Sequence, residues 1–224
     1  ACDIPSGIED VGELHVMLEL SRESGLEDVL VQAFGNQIGK ALLFSGVWQA
    51  CTSAPFYLAH HWFESRQIPE DLKTFSFSSQ HLSTFLEEIG MSQEKREQFY
   101  RSWIKQCGSP DSVIYDTTSI STFSDNLIGA EWGYNRDEEH LRQINLAMVV
   151  DSRNGMPLMS RMISGSIPDV RTLLATSTCL EEYGLKEFLY VLDRGFFSRD
   201  NLRGMIRNKL KFIVGVPFSL KQAK

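Results

Sequence analysis

The chain has 224 residues, of which 42% are hydrophobic and 23% charged, and its formal net charge is −7 at pH 7. These proportions are ordinary for a folded protein of one large or two small domains, and they exclude a disordered, collagen-like or coiled-coil chain. The sequence contains no long apolar stretch that predicts a membrane-spanning helix. The acidic first residues lack a basic and then apolar leader, so we expect no secretory signal.

Residues 1–108 are predicted to form a mainly helical region. Apolar residues recur there at three- and four-residue spacing, and proline, serine and glycine stand where helices begin or end. Gly108-Ser109-Pro110 interrupts this pattern, so we expect a domain boundary there, with a second region over residues 109–224. The helices predicted in the first region cover Ile38–Cys51, Pro55–Trp62, His81–Ile89 and Gln93–Gln106.

Residues 111–224 change to a strand pattern. A short apolar run, Val113–Tyr115, ends at Asp116. Leu141–Asp151, with Ile144, Leu146, Met148 and Val150 on one side, and Met156–Ser164 alternate around an Asn154-Gly155 turn, which predicts a β-hairpin. The order β-β-β-α-β-α-β that results predicts an α/β fold with an antiparallel and a parallel portion. The later elements are a helix over Val170–Tyr183, a strand over Phe188–Leu192, a helix that Ser198 caps, and a strand over Phe212–Val216.

Charge and cysteine spacing indicate the environment of the chain. Residues 194–224 contain eight basic residues and one acid, a net charge of +7, so residues 1–193 carry −14. Such a basic segment on an acidic chain favours a local surface for a polyanion, although a solvated, arginine-rich helix face is the simpler interpretation of the charge alone. The four cysteines form no metal-binding or C-x-x-C spacing, so we expect reduced thiols in a cytoplasmic, nucleoid-associated protein.

Two aspartates, Asp116 and Asp193, each directly follow a predicted buried strand. Functional groups collect where the strands of an open α/β sheet end. If the two strands are neighbours, the carboxylates repel each other unless one is protonated or a cation lies between them, and Mg²⁺ prefers such oxygen ligands. From the spacing alone, a capping or turn role for each aspartate is the preferred alternative.

Three segments resemble the DDE transposases of bacterial insertion sequences, in the branch with a DRGF second-aspartate block. Residues 113–124 (VIYDTTSISTFS) resemble the first-aspartate block, and residues 189–198 (LYVLDRGFFS) resemble the second. Residues 133–169 resemble the block between them. The resemblance spans residues 111–217, about half of the chain.

The resemblance implies a fold, a reaction and partners. The fold is a ribonuclease-H-like mixed sheet, three antiparallel strands followed by parallel strands with helices, after a mainly helical N-terminal region. Asp116 on the first strand and Asp193 on the fourth are the implied catalytic residues and ligands of Mg²⁺ or Mn²⁺, with two ions in the complete enzyme. The implied reaction is phosphodiester hydrolysis at transposon ends and then attack of the freed 3′-hydroxyl on a phosphodiester of target DNA, which joins the two DNAs. The implied partners are the transposon ends, the target DNA and a second copy that pairs on DNA.

The same family requires a third carboxylate, a Glu within a Y-x-x-R-x-x-x-E-x-x-x-x-x-x-K pattern. No Glu follows Glu187, and no tyrosine of this chain is followed by Arg three residues later. We therefore expect a truncated chain or a decayed gene, and no cleavage by the 224 residues alone. The alternative function is a non-catalytic DNA-binding or interaction module derived from a transposase.

Several further residues are candidates for DNA contact or for structural roles. The candidates for DNA contact are Arg194, Thr118, Arg199, Arg203 and Arg207, with a structural ion pair as the alternative for Arg194 and ordinary hydrogen bonding for Thr118. Trp132 and Tyr134 are interpreted as packing on the core in preference to stacking on unpaired bases. A turn role is predicted for Asp151 and an N-cap for Asp169. His60 and His61 are adjacent on a helix and are expected to point in different directions, which argues against a shared metal.

Overall fold

The structure is a computed structural model, and it describes residues 12–66, 68–132, 141–166 and 169–217. The chain divides into two compact units, Ala1–Gln106 and Cys107–Lys224. The first unit is helical, and the second is built on a β-sheet. Within the described ranges, no helix is both long and apolar enough to cross a membrane.

The helical unit buries one continuous apolar core, in which the indole of Trp48 is 1% exposed. Helix α3 crosses α2 so closely that a Cβ on Gly39 would lie 2.6 Å from the carbonyl oxygen of Leu30, which explains the glycine. The ring of Phe63 stacks on that of Phe77 with centroids 3.7 Å apart, so α4 is held against the core. The helices are α1 (Gly12–Glu23), α2 (Leu26–Phe34), α3 (Asn36–Thr52), α4 (Ala59–Glu64), α5 (Ser79–Met91) and α6 (Gln93–Cys107), with short 3-10 turns at Phe56–Leu58 and Glu70–Leu72.

The second unit is a five-stranded sheet with the strand order β3-β2-β1-β4-β5. Strand β2 is antiparallel to both β1 and β3, whereas β4 is parallel to both β1 and β5. This confirms the predicted order and the ribonuclease-H-like mixed sheet. The elements are β1 (Ser112–Thr122), β2 (Arg142–Asp151), β3 (Pro157–Ser164), α7 (Asp169–Glu182), β4 (Leu189–Leu192), a 3-10 turn (Arg194–Phe196), α8 (Arg199–Arg207) and β5 (Lys211–Val214).

Helices α7 and α8 contact each other and cover one face of the sheet. The buried Tyr115 of β1 donates a hydrogen bond to Thr172 Oγ1 of α7 at 3.1 Å, and its ring contacts that of Phe196. Side chains alternate between the two faces of a strand, so the residues between the buried ones point to the other face. That second face is also apolar but more open, since Ile114 is 43% exposed and Ile213 58%.

In the hairpin, the apolar residues of β2 lie on both faces of the sheet. The predicted apolar side of β2, Ile144 to Val150, is half-buried on the open face. The residues buried on the helix-covered face include Ala147 and Val149. Because apolar residues occupy both faces of the sheet, alternation alone did not reveal which face the helices cover.

Local side-chain bonds confirm two of the predicted structural roles. Asp151 is buried at the end of β2 and accepts hydrogen bonds from the backbone N–H and the guanidinium of Arg153, both at 2.9 Å, which closes the hairpin turn. Ser198 Oγ accepts from the backbone N–H of Asn201 at 3.1 Å and caps α8. Asp169 is the first residue of α7.

Candidate metal centre and nucleic-acid interface

Asp116 lies in the middle of β1, and the prediction that it ends a strand is wrong. Strand β1 continues to Thr122 because its antiparallel pairing with β2 extends from Val113 to Thr122. The pairing with β4, in contrast, stops at Tyr115. Asp116 is therefore the first residue of β1 that has no β4 residue beside it.

The parallel register brings the two aspartates together. The last pair between the two strands is Tyr115 with Leu192, so Asp116 and Asp193 are the next residue on each side. Neighbouring strands run about 4.8 Å apart, which places the two residues side by side. Because Tyr115 and Leu192 are buried on the helix-covered face and the backbone of Asp193 is still extended, both aspartates point to the open face, where both are exposed.

Each carboxylate is oriented by a hydrogen bond from the next residue in the chain. Asp116 Oδ1 accepts from the backbone N–H of Thr117 at 2.8 Å, and Asp193 Oδ1 accepts from that of Arg194 at 2.6 Å. Among the described residues, no Lys, Arg or His forms an ion pair with either aspartate. Two adjacent carboxylates without a neutralising side chain suit a divalent cation, so the donor set fits Mg²⁺ or Mn²⁺.

An open cavity of about 490 Å³ lies beside Asp193, lined also by Arg194, Gly195 and Pro217. The chain that leaves β5 forms one wall, since the N–H of Gly215 donates to the carbonyl oxygen of Leu192 at 3.2 Å. A Cβ at position 215 would lie 3.2 Å from the backbone nitrogen of Arg194. The space next to the carboxylate is thus bounded by backbone that tolerates little added bulk.

The predicted DNA-contact residues fall into two groups. Thr118 is exposed two residues beyond Asp116 on the same face, and Arg194 is exposed beside Asp193. The other three, Arg199, Arg203 and Arg207, are exposed at four-residue spacing along α8, in the helix layer on the opposite side of the sheet. The last of them lies about 12 Å along the helix axis from the first. We call these three residues the α8 stripe.

The packing preferred for Trp132 is wrong, because its side chain is 64% exposed. Phe123 and Ile128 in the same connection are still more exposed. Tyr134, predicted together with Trp132, lies outside the described residues. Large apolar residues scattered through an otherwise polar connection, Phe123, Leu127, Ile128 and Trp132, were the sequence signal for this exposed group.

The expectation that His60 and His61 diverge is also wrong. Their ring centroids are 3.8 Å apart, and each ring has a nitrogen 3.7 Å from Glu64 Oε2. The two Cβ atoms do leave the helix in different directions, but the imidazole rings are long enough to turn back toward one glutamate. The three side chains form the group we call the α4 cluster: His60, His61 and Glu64.

A family model described as transposase DDE domain matches residues 108–224. No curated protein matches the chain. Among solved structures, the chain is similar to the Mos1 transposase paired-end complex with left transposon end, at 12% identity and a TM-score of 0.32, covering 79% of this chain and 58% of that one.

Two further solved structures are similar to the chain. One is the piggyBac transposase synaptic complex with hairpin DNA, at 10% identity and a TM-score of 0.36, covering 90% of this chain and 42% of that one. The other is the Mos1 mariner paired-end complex with Mn, at 13% identity and a TM-score of 0.31, covering 95% and 80%. The chain spans about half the length of the first two structures.

Proposed function

The chain belongs to the transposase DDE domain family, and from this premise we propose that it acts in DNA transposition, with Asp116 and Asp193 as catalytic metal ligands. The observation that carries the proposal is the strand register, which sets the two aspartates side by side on the open face of the sheet. Their exposure and the absence of an ion pair to a described cation leave both available to a metal and to a large substrate.

Bound between these carboxylates, Mg²⁺ or Mn²⁺ would supply activation of the attacking oxygen and stabilisation of the leaving oxygen in a phosphodiester displacement, with two ions in the complete enzyme. The chain itself contributes positioning. The backbone N–H groups of Thr117 and Arg194 hold one oxygen of each carboxylate. Rigid strands thereby fix the ligands before any substrate arrives.

The basic residues are proposed to hold DNA around this pair. Thr118 and Arg194 flank the aspartates and are placed to contact phosphates near the reacting bond. The α8 stripe lies in the helix layer and is proposed to contact a more distant part of the duplex or a second DNA segment. Such phosphate contacts give affinity that falls with added salt.

The finer part of the proposal concerns the branch and the completeness of the site. We assign the chain to bacterial insertion-sequence transposases with a DRGF block, cutting transposon ends and joining them to target DNA as paired copies. Residues 109–224 are proposed to belong to the catalytic core, and residues 1–108 to a separate helical region. The 224 residues alone are proposed not to cleave, because no Glu follows Glu187 as a third carboxylate.

Calorimetric titration with Mn²⁺ tests the site assignment. Loss of a residue that only hydrogen-bonds to a metal ligand costs about 10–100-fold in metal affinity, so we expect loss of a ligand itself, in Asp116→Asn or Asp193→Asn, to weaken Mn²⁺ binding by about 100-fold or more. The matched control is Asp200→Asn, which alters an exposed carboxylate seven residues beyond Asp193 and is expected to leave Mn²⁺ binding unchanged. Equal affinity in wild type and all three variants would contradict the assignment.

A non-catalytic DNA-binding module is the second candidate, favoured by the separation of the α8 stripe from the aspartate pair. The open reading frame after Lys224 distinguishes the two candidates. A downstream Y-x-x-R-x-x-x-E pattern supports the enzyme, and cleavage by a polypeptide that includes it is then expected to depend on Asp116 and Asp193. A stop codon directly after Lys224 supports the module.

A further inference from the structure

The α4 cluster has the composition and geometry of a transition-metal site in the helical unit. We propose that His60, His61 and Glu64 bind a first-row transition-metal ion, of which Zn²⁺ is the representative. This proposal does not depend on the proposed DNA chemistry, because it uses neither the sheet nor its aspartates.

The distances between the ligand atoms of the cluster are close to those between the ligands of a bound metal ion. His60 Nε2 and His61 Nδ1 each lie 3.7 Å from Glu64 Oε2, and the three ligand atoms all lie within 4.8 Å of one another. Ligand atoms about 2.0–2.1 Å from a tetrahedral Zn²⁺ are roughly 3.3 Å apart. Small rotations of exposed side chains therefore suffice to close the three atoms around an ion.

Helical spacing explains why these three residues meet. Glu64 is four residues after His60 and three after His61, and residues at both spacings are neighbours on a helix surface. The backbone that carries them is fixed, because Ala59 and Phe63 of the same helix are buried in the core. The cluster is thus a set of surface donors on an anchored turn, which lowers the entropy lost when a metal binds.

The donor types select among metals. Two imidazoles and one carboxylate form the donor set of several zinc sites that keep a fourth position open. Imidazole ligands favour Zn²⁺, Cu²⁺ or Ni²⁺, whereas Mg²⁺ prefers oxygen ligands alone. The α4 cluster and the aspartate pair are therefore expected to discriminate between the two classes of ion.

A cavity next to the cluster has room for a fourth ligand of the metal. It has a volume of about 250 Å³ and is lined by His60, Glu64, Phe63 and the hydroxyl-bearing Ser76 and Ser78, among others. The Ser76 hydroxyl donates to that of Ser78 at 3.0 Å, so the cavity lining includes polar groups besides the cluster. A water or a small anion that completes the metal's coordination has both room and hydrogen-bonding partners there.

The test is titration of the whole 224-residue chain with Zn²⁺ in the presence of excess Mg²⁺, followed by Co²⁺ as a spectroscopic probe. We expect one Zn²⁺ per chain that Mg²⁺ does not displace, and a visible absorption band of Co²⁺ bound to nitrogen ligands. His60→Ala, His61→Ala and Glu64→Gln are each expected to weaken Zn²⁺ binding at least tenfold and to remove the band. The matched controls His15→Ala and His81→Ala alter exposed histidines outside the cluster and are expected to change neither.

Two results would overturn the proposal. One is equal Zn²⁺ affinity in the wild type and all three cluster variants, with melting temperatures showing that the variants are folded. The other is loss of the Zn²⁺ site in the Asp116→Asn/Asp193→Asn double variant, which would place the ion at the sheet. Retention of Zn²⁺ and loss of Mn²⁺ in that double variant supports both proposals, and retention of both ions supports the α4 cluster while contradicting the aspartate pair.

Discussion

The aspartate pair and the α4 cluster are assembled in opposite ways. Asp116 and Asp193 are 77 residues apart in the chain and become neighbours only through the parallel register of two strands. The α4 cluster lies within five consecutive residues, and a single helical turn is enough to form it. The geometry of the aspartate pair thus depends on the folding of the whole sheet, whereas that of the α4 cluster depends on one helix.

The largest effect is expected from unfolding one of the two units. Trp48 is almost fully buried in the helical core, so Trp48→Ala is expected to cost about 3–5 kcal/mol of stability. Because its ring packs on Phe56, just before α4, we expect Zn²⁺ binding to fall as the helical unit unfolds. Thermal denaturation with and without each metal measures both effects.

The Mn²⁺ binding proposed for the aspartate pair is the internal reference for that experiment. It is expected to persist in Trp48→Ala, because the two units are separately compact. The exposed tryptophan variant Trp132→Ala serves as the matched control and is expected to change stability little. Parallel loss of both metals in Trp48→Ala would show that the two sites do not report separate units.

A smaller effect is expected at the hairpin that supports β1. The hydrogen bonds from Arg153 hold the pKa of the buried Asp151 below its ordinary value. Arg153→Ala removes the guanidinium hydrogen bonds to that carboxylate and leaves only the one from the backbone N–H of residue 153, so we expect a loss of about 1–3 kcal/mol near neutral pH. A depressed carboxyl pKa stabilises the fold above the unfolded-state value of about 3.9, and the contribution is lost as pH falls through the folded-state pKa.

The measurement is the free energy of unfolding of wild type and Arg153→Ala between neutral pH and the acid limit of folding. The difference between the two is expected to be constant near neutrality and to shrink below about pH 4. A difference that grows on acidification would contradict the assigned ion pair.

The N-cap of α8 offers a test confined to one helix. Ser198 Oγ accepts a hydrogen bond from the backbone N–H of Asn201, so Ser198→Ala is expected to cost about 1 kcal/mol of stability. Mn²⁺ affinity is expected to stay unchanged, because Asp193 is held by the N–H of Arg194. Denaturant unfolding and Mn²⁺ titration of the same sample check both statements, and a fall in Mn²⁺ affinity would mean that α8 positions the site.

The smallest effects are expected for single arginines of the α8 stripe. Each phosphate contact contributes about 0.9 to the slope of log affinity against log salt, so Arg199→Ala, Arg203→Ala and Arg207→Ala should each reduce the slope by about that amount. Fluorescence anisotropy with duplex DNA at several salt concentrations measures it. Lys186→Ala removes an exposed charge away from α8 and is the control; an equal change there would indicate a diffuse effect of net charge.

Local patterns were enough to predict most elements of the sheet unit. Alternation and an Asn-Gly turn identified the hairpin, and glycine and serine marked the ends of helices. The bounds of β1 were missed because the residues from Thr117 to Thr122 are largely polar, and their strand structure comes from a partner, β2, that follows 20 residues later. Pairing between distant segments is not contained in a local window.

The two candidate sites differ in the same way, since one depends on distant segments and the other on neighbouring residues. Asp116 and Asp193 were singled out because each follows a predicted buried strand, and the family resemblance then implied their role. The three-dimensional register showed that the two residues are neighbours. A shared metal at His60 and His61 was argued against because adjacent helical residues leave the backbone in different directions. That argument ignores the length of the side chains. Imidazoles and glutamate reach several bond lengths beyond Cβ, so residue spacing alone underestimates which of them meet.

The strict register between β1 and β4 restricts how this segment can evolve. From Ser112 to Tyr115 each residue has a defined neighbour on β4. Inserting or deleting one amino acid there would rotate Asp116 by half a turn, under α7 and beside buried tyrosines, where an ionised group is costly. The identities of these four residues can therefore change while their number has to stay the same, so an alignment gap in this segment is expected to mark a relative in which the aspartate pair is no longer side by side.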